Sequence, residues 1–253
     1  MDGTSGVIAL VLAETAAGGA AVLWLTGLWG GVKRGFFILT TTVIAGCAAL
    51  AALAASGAEA VALLAWAMTA ISGLSLLALL VRRLAIARGL GLASIPVGAA
   101  MLVAMALVAE AGAVPATLQL LAGALLMGAV TVGLLLGHWY LVDRGLARDH
   151  IIRLALVLIG AVIVEAVAVV IGAATGTIEA TAGFSLFLTA GGTGFWLTIV
   201  LGMVGLTALI AFLIRAALRE PRPRAVQAAT GFFYLAVITA FTAELAAKVR
   251  FLG

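Results

Sequence analysis

The chain has 253 residues, 65% of them hydrophobic and only 9% charged, with a formal net charge of +4. A soluble domain carries about 25% charged residues and must turn a large area toward water, so this composition excludes a soluble fold; it also excludes intrinsic disorder, which needs low hydrophobicity. The excess of positive charge is what basic loops along one membrane face produce, and nothing in it points to nucleic acid.

A membrane-spanning helix needs about 20 mostly apolar residues. Punctuated at its charges and its Gly/Pro clusters, the chain predicts eight spans, over residues 7–30, 35–56, 60–81, 91–110, 115–142, 152–173, 193–214 and 226–248. The runs are apolar on every side and too long for barrel strands, which alternate over short segments. The expected fold is therefore an all-α polytopic bundle of eight transmembrane helices, a single transmembrane domain over 1–253. No Lys or Arg precedes Lys33, so the first apolar run reads as a retained helix and not as a signal peptide.

Lys33 and Arg34 follow the first helix, Arg82, Arg83 and Arg88 the third, Arg144, Arg148 and Arg153 the fifth, and Arg215, Arg219, Arg222 and Arg224 the seventh. The positive-inside rule then makes these alternate loops cytoplasmic and puts the N-terminus outside, as in a prokaryotic plasma (inner) membrane. Lys248 and Arg250 depart from that pattern. Connection 174–192 is the longest on the outer side. Gly191–Gly194 interrupts the apolar segment that follows it, either as a surface turn or as a short re-entrant piece over 184–194. Three hairpins share one plan, a basic loop followed by a helix with a glutamate in its outer half: Glu110, Glu165 and Glu244. Ancestral duplication and the ordinary look of a positive-inside hairpin both account for it.

Ionisable groups inside a bilayer are expensive and are functional candidates by default. Glu14, Glu165 and Glu244 all fall in the outer halves of their helices. If those helices adjoin, burial and mutual repulsion let the carboxyls hold protons near neutral pH. That suits a proton relay, a cation site or a partner for a quinol hydroxyl. Small residues share their faces, Gly18 and Ala21 with Glu14 and Ala161, Ala168 and Gly172 with Glu165, so both side chains are expected to point into the bundle. Glu244 has Lys248 four residues on, a favourable helical pair that needs no function. Glu110 reads as a headgroup-level residue, and Glu59 and Glu179 as loop residues.

His138, Trp139 and Tyr140, followed by Asp143 and Arg144, are the densest polar feature and fall at the cytoplasmic end of the fifth helix. Trp and Tyr favour that interface whatever the function. His138 and Tyr140 are further quinone- or proton-binding candidates. Trp139, Asp143, Arg144, Arg215, Arg219, Arg222 and Arg224 are candidates for interfacial or partner contacts, anionic lipid heads being the default partner. His150 reads as a surface residue of the next loop. Gly194, Thr198, Gly202 and Gly205 of the seventh helix, and Gly133 and Gly137 of the fifth, read as faces for helix packing.

Cys47 is the single cysteine, which excludes an iron–sulfur site or thiolate cluster within the chain. With two histidines a two-haem cytochrome is excluded, and one haem would need a Met or an exogenous second ligand. No metal site, no nucleophile–base pair and no nucleotide motif is evident, so an enzymatic activity of the chain itself is left undecided. Two functions fit the polar inventory. One is a membrane subunit of a redox complex that binds quinone or quinol, or anchors electron-transfer partner subunits; a quinone is mostly apolar and needs few polar contacts. The other is a small secondary transporter coupled to protons or a cation. The near absence of amides (Gln119 and Gln227 only) argues against a polar metabolite. A homo-oligomer is compatible with either.

Overall fold

A computed structural model describes residues 3–55, 58–108, 113–143, 145–175, 192–220 and 223–249. Within them lie eight helices: α1 (Gly3–Leu28), α2 (Arg34–Ala54), α3 (Glu59–Leu80), α4 (Leu84–Val108), α5 (Ala113–Val142), α6 (Asp149–Ala174), α7 (Gly192–Ala217) and α8 (Pro223–Lys248). All eight are long and apolar enough to cross a membrane, and every backbone amide of such a segment can be satisfied inside its own helix. The all-α polytopic membrane fold expected from the sequence is the fold observed.

The chain forms two rings of four. In the first, α1 packs on α2, α2 on α3, α3 on α4, and α4 returns to α1; α5, α6, α7 and α8 repeat that order. The rings join along α1 and α5, which are the two most enclosed helices of the molecule. Glycine makes this seam possible. A Cβ on Gly18 would sit 1.6 Å from the backbone oxygen of Ala124, and one on Gly128 2.3 Å from the backbone of Gly18. No side chain fits between backbones that close, and dispersion contacts along such an approach hold helices together where lipid supplies no hydrophobic drive. The outward faces carry large apolar side chains, among them Leu63, Trp66 and Leu77 on α3 and Ile163 and Val167 on α6.

The sequence reading differs from this in several places. α4 starts at Leu84, not at residue 91, because the α3–α4 connection is only three residues long. Arg82 takes a left-handed conformation (φ 62°) and donates its N–H to Leu79 O, while Arg83 donates to Ala78 O at 2.8 Å. This reciprocal capping closes α3 and lets the next helix begin at once. Pro96 is accommodated within α4. Glu59 opens α3 and does not belong to a loop. Gly202 and Gly205 meet nothing and face outward, so they do not pack a neighbouring helix, whereas Gly133 and Gly137 receive Phe233 and Thr230 of α8 as expected. The repeated unit visible in the contacts is a four-helix ring, twice the size of the hairpin read from the sequence. Glu110 and Glu179 lie outside the described residues, as does most of the segment 184–194.

Candidate functional site

Glu14 lies one helical turn before Gly18 on α1, and Ala124, where Gly18 meets α5, is next to Gly123. The α1–α5 seam therefore delivers the Glu14 carboxylate to Gly123. A Cβ there would come within 2.5 Å of Glu14 Oε1 and within 2.7 Å of Glu244 Oε2. The missing side chain at 123 is thus the notch in which a carboxylate from α1 and one from α8 stand together.

Lys248, one turn after Glu244 on α8, reaches into the same notch. Its Nζ lies 2.8 Å from Glu14 Oε1 and donates to Glu244 Oε2 at 2.7 Å. Glu165 of α6 acts electrostatically on both Glu14 and Lys248. All four side chains have no exposed surface. Gly123 is ten residues from the start of α5 and Glu165 nine from the end of α6, about 15 Å and 14 Å at 1.5 Å per residue. The cluster is deep in the bundle.

Lys248 is the residue whose role the sequence reading missed. It stood there as an exception on the outer surface and as a simple i,i+4 partner. The i,i+4 spacing was a true signal, but it cannot reveal that the pair is enclosed and shared with α1. Gly123 was not singled out either. Gln119, one turn before Gly123 on α5, is also fully buried.

The remaining candidates lie elsewhere. His138 is fifteen residues along α5 from Gly123, about 22 Å. It is exposed, and its Nδ1 is 3.1 Å from the Tyr234 hydroxyl of α8, with the rings edge to face. The Tyr140 hydroxyl donates to Ala147 O. Trp139 lies over Gly35 of α2, where a Cβ would approach its ring to 2.3 Å. Asp143 accepts from Lys33 Nζ at 2.9 Å, a partner 110 residues away in sequence. His150 is not a surface loop residue: it is 6% exposed in the first turn of α6 and stacks on Trp29, which also carries Arg153 over its ring. Arg215 is half-buried in the last turn of α7, and Arg219 and Arg224 are exposed. Arg144 and Arg222 lie outside the described residues. The structure therefore brings Glu14 and Glu244 onto one ammonium, with Glu165 in electrostatic reach, and leaves His138 and Tyr140 at the far end of α5.

Among the described residues no group of three or more His, Cys, Asp and Glu has the arrangement of a metal site. Comparison of the chain with protein-family models, with curated proteins and with solved structures finds no match.

Proposed function

We propose that this chain is the membrane subunit of an electron-transfer complex, and that Glu14, Glu165 and Glu244, gathered around the Lys248 ammonium, hold and pass the protons that quinone reduction takes up or quinol oxidation releases. The observation that carries this reading is the charge count of a sealed cluster. One ammonium, that of Lys248, is shared by the Glu14 and Glu244 carboxyls, and all three side chains are fully buried. With Glu14 and Glu244 both ionised, the one ammonium between them offsets only one of the two charges. Even after relaxation each buried ion costs several kcal/mol, so the balance is restored by protons shared among the carboxyls. A group of carboxyls that trades protons around a fixed ammonium is a proton store.

Proton-coupled transport by a small secondary transporter is the second reading, and the same cluster would serve it. Two features favour the redox subunit. Transporters commonly build their sites on helices broken at the membrane midplane, whereas α1, α5 and α6 run unbroken past the cluster and α8 reaches it as a continuous helix that ends at Lys248. The carboxyls are also fully buried among packed helices, and a single Cβ at Gly123 would already crowd their oxygens. In this reading the basic connections are cytoplasmic, the N-terminus lies outside, and the membrane is a prokaryotic inner membrane. Quinone, and redox partner subunits carrying the metal centres, are the implied cofactor and partners.

Two measurements test the proposal. Infrared difference spectroscopy of the purified protein across a pH titration should show a protonated-carboxyl band that Glu14→Gln, Glu165→Gln or Glu244→Gln removes or shifts; a spectrum unchanged in all three variants excludes the proton store. Purification in mild detergent, with mass spectrometry and an absorption spectrum, should recover redox subunits or a bound quinone. Recovery of neither, with the carboxyl band intact, moves the assignment to transport.

A further inference from the structure

At the end of the first ring opposite the carboxyl cluster, a cavity of about 170 Å³ opens between α1, α2, α3 and α4. Two kinds of residue line it. Arg34 and Arg88 bring positive charge. Trp24, Phe37, Leu79 and Leu84 make an apolar wall. No carboxylate is among the lining residues. The nearest ion pair in sequence, Lys33 with Asp143, is already satisfied.

The helix dipoles do not decide the sign of this site. α2 and α4 begin here while α1 and α3 end here, so two positive and two negative helix termini oppose each other. Arg34 Nη1 further satisfies the end of α3, donating to Leu79 O at 3.0 Å and to Leu80 O at 3.4 Å. What remains is the net charge of the guanidinium groups, one held in place by a helix end and one exposed on α4.

The wall is built, not incidental. Gly91 of α4 has no side chain where the Trp24 indole passes, and a Cβ there would lie 1.8 Å from the ring. Seated in that notch, Trp24 meets Phe37 with ring centroids 5.5 Å apart. The two rings and Arg34 therefore hold fixed relative positions at the level where a membrane turns from hydrocarbon to headgroup, with Arg88 exposed beside them.

We propose that this pocket binds the headgroup of an anionic phospholipid, its phosphate held by Arg34 and Arg88 and the first part of its acyl chains laid against Trp24 and Phe37. The cavity is smaller than the ~300–1,000 Å³ of sites that enclose a whole small molecule. It takes a headgroup and leaves the rest of an amphiphile in the bilayer. Two guanidinium groups with no facing carboxylate select a full anion over a neutral quinone ring, because only an anion offsets their charge. The site is separate from the carboxyl cluster and does not depend on the redox reading.

Native mass spectrometry of the intact chain in mild detergent, exposed to equal amounts of phosphatidylglycerol and phosphatidylcholine, tests it. The expected result is one preferentially retained phosphatidylglycerol. Arg88→Gln should lower its retention about fivefold or more. Gly27→Leu keeps both arginines and fills the cavity from α1, where a Cβ makes only ordinary contacts of 3.4–3.6 Å with Phe37 and Trp24; it should lower retention as much while the unfolding midpoint stays near that of the parent. Equal retention of the two lipids, or retention unchanged in both variants, overturns the proposal. Displacement of the lipid by inorganic phosphate at matched concentration would assign the site to a free anion, and displacement by a short-chain quinone to a redox ligand; either result also overturns it.

Discussion

Lys33 and Lys248 each hold a carboxylate at nearly the same distance, 2.9 Å to Asp143 in one case and 2.7 Å to Glu244 in the other. The first ammonium is 69% exposed and the second has no exposure at all. Distance alone would rank the two pairs together, yet their energetics differ in kind. The exposed pair exchanges water for a partner at little net gain. The buried one has no water to return to, so removing either member strands a charge inside the bundle. The two sites thus use similar residues for different purposes, attachment at the surface and a closed charge balance in the interior.

Four substitutions sharpen that contrast. Lys248→Met should be the most damaging, costing about 3–5 kcal/mol because Glu14 and Glu244 lose the charge that both face; thermal unfolding in detergent measures it. Adding Glu244→Gln to Lys248→Met should recover part of the loss, and a Lys248→Met midpoint equal to the parent's would show that the buried pair is not held as ions. Next in size, Glu165→Gln should slow quinol-linked turnover of the assembled complex on the order of 10²-fold, the usual loss when a positioned proton carrier is removed. Glu110→Gln should leave turnover near the parent value; equal rates in the two variants would remove Glu165 from the relay.

Gly123→Ala comes third. Its methyl would meet both carboxylates at 2.5–2.7 Å, and an overpacked interior site costs roughly 1–3 kcal/mol. The same variant should perturb the protonated-carboxyl band, which distinguishes a rearranged cluster from simple crowding. Smallest of all, Lys33→Ala should shift stability by less than about 1 kcal/mol, and by less still at high salt. A large loss there would mean that the Lys33–Asp143 pair, and not the buried cluster, locks the two rings together.

Much of the framework was legible in the residues. Long apolar runs, delimited by bands of Lys and Arg at alternate loops and by Gly/Pro clusters at the others, locate every one of the eight helices, and most of their ends fall within a few residues of the expected positions. The start of α4 was not legible because Arg82 adopts a backbone conformation usually reserved for glycine, so no Gly or Asn marked the turn. Burial of His150 was hidden for a related reason. A histidine beside Asp149 and Arg153 looks like a loop residue until the chain folds Trp29 against it.

The site divides in the same way. Composition by itself determined that the solvent is lipid, because no aqueous fold hides this much apolar surface, and that solvent in turn made Glu14, Glu165 and Glu244 conspicuous through the cost of carrying them. Only the tertiary structure decided that Glu14 and Glu244 share one notch, that Lys248 completes it, and that His138 and Tyr140 stand apart. Helical periodicity says which face a residue occupies. Which helix lies opposite that face is set by where two backbones can touch, and here a pair of glycines on α1 and α5 settles it.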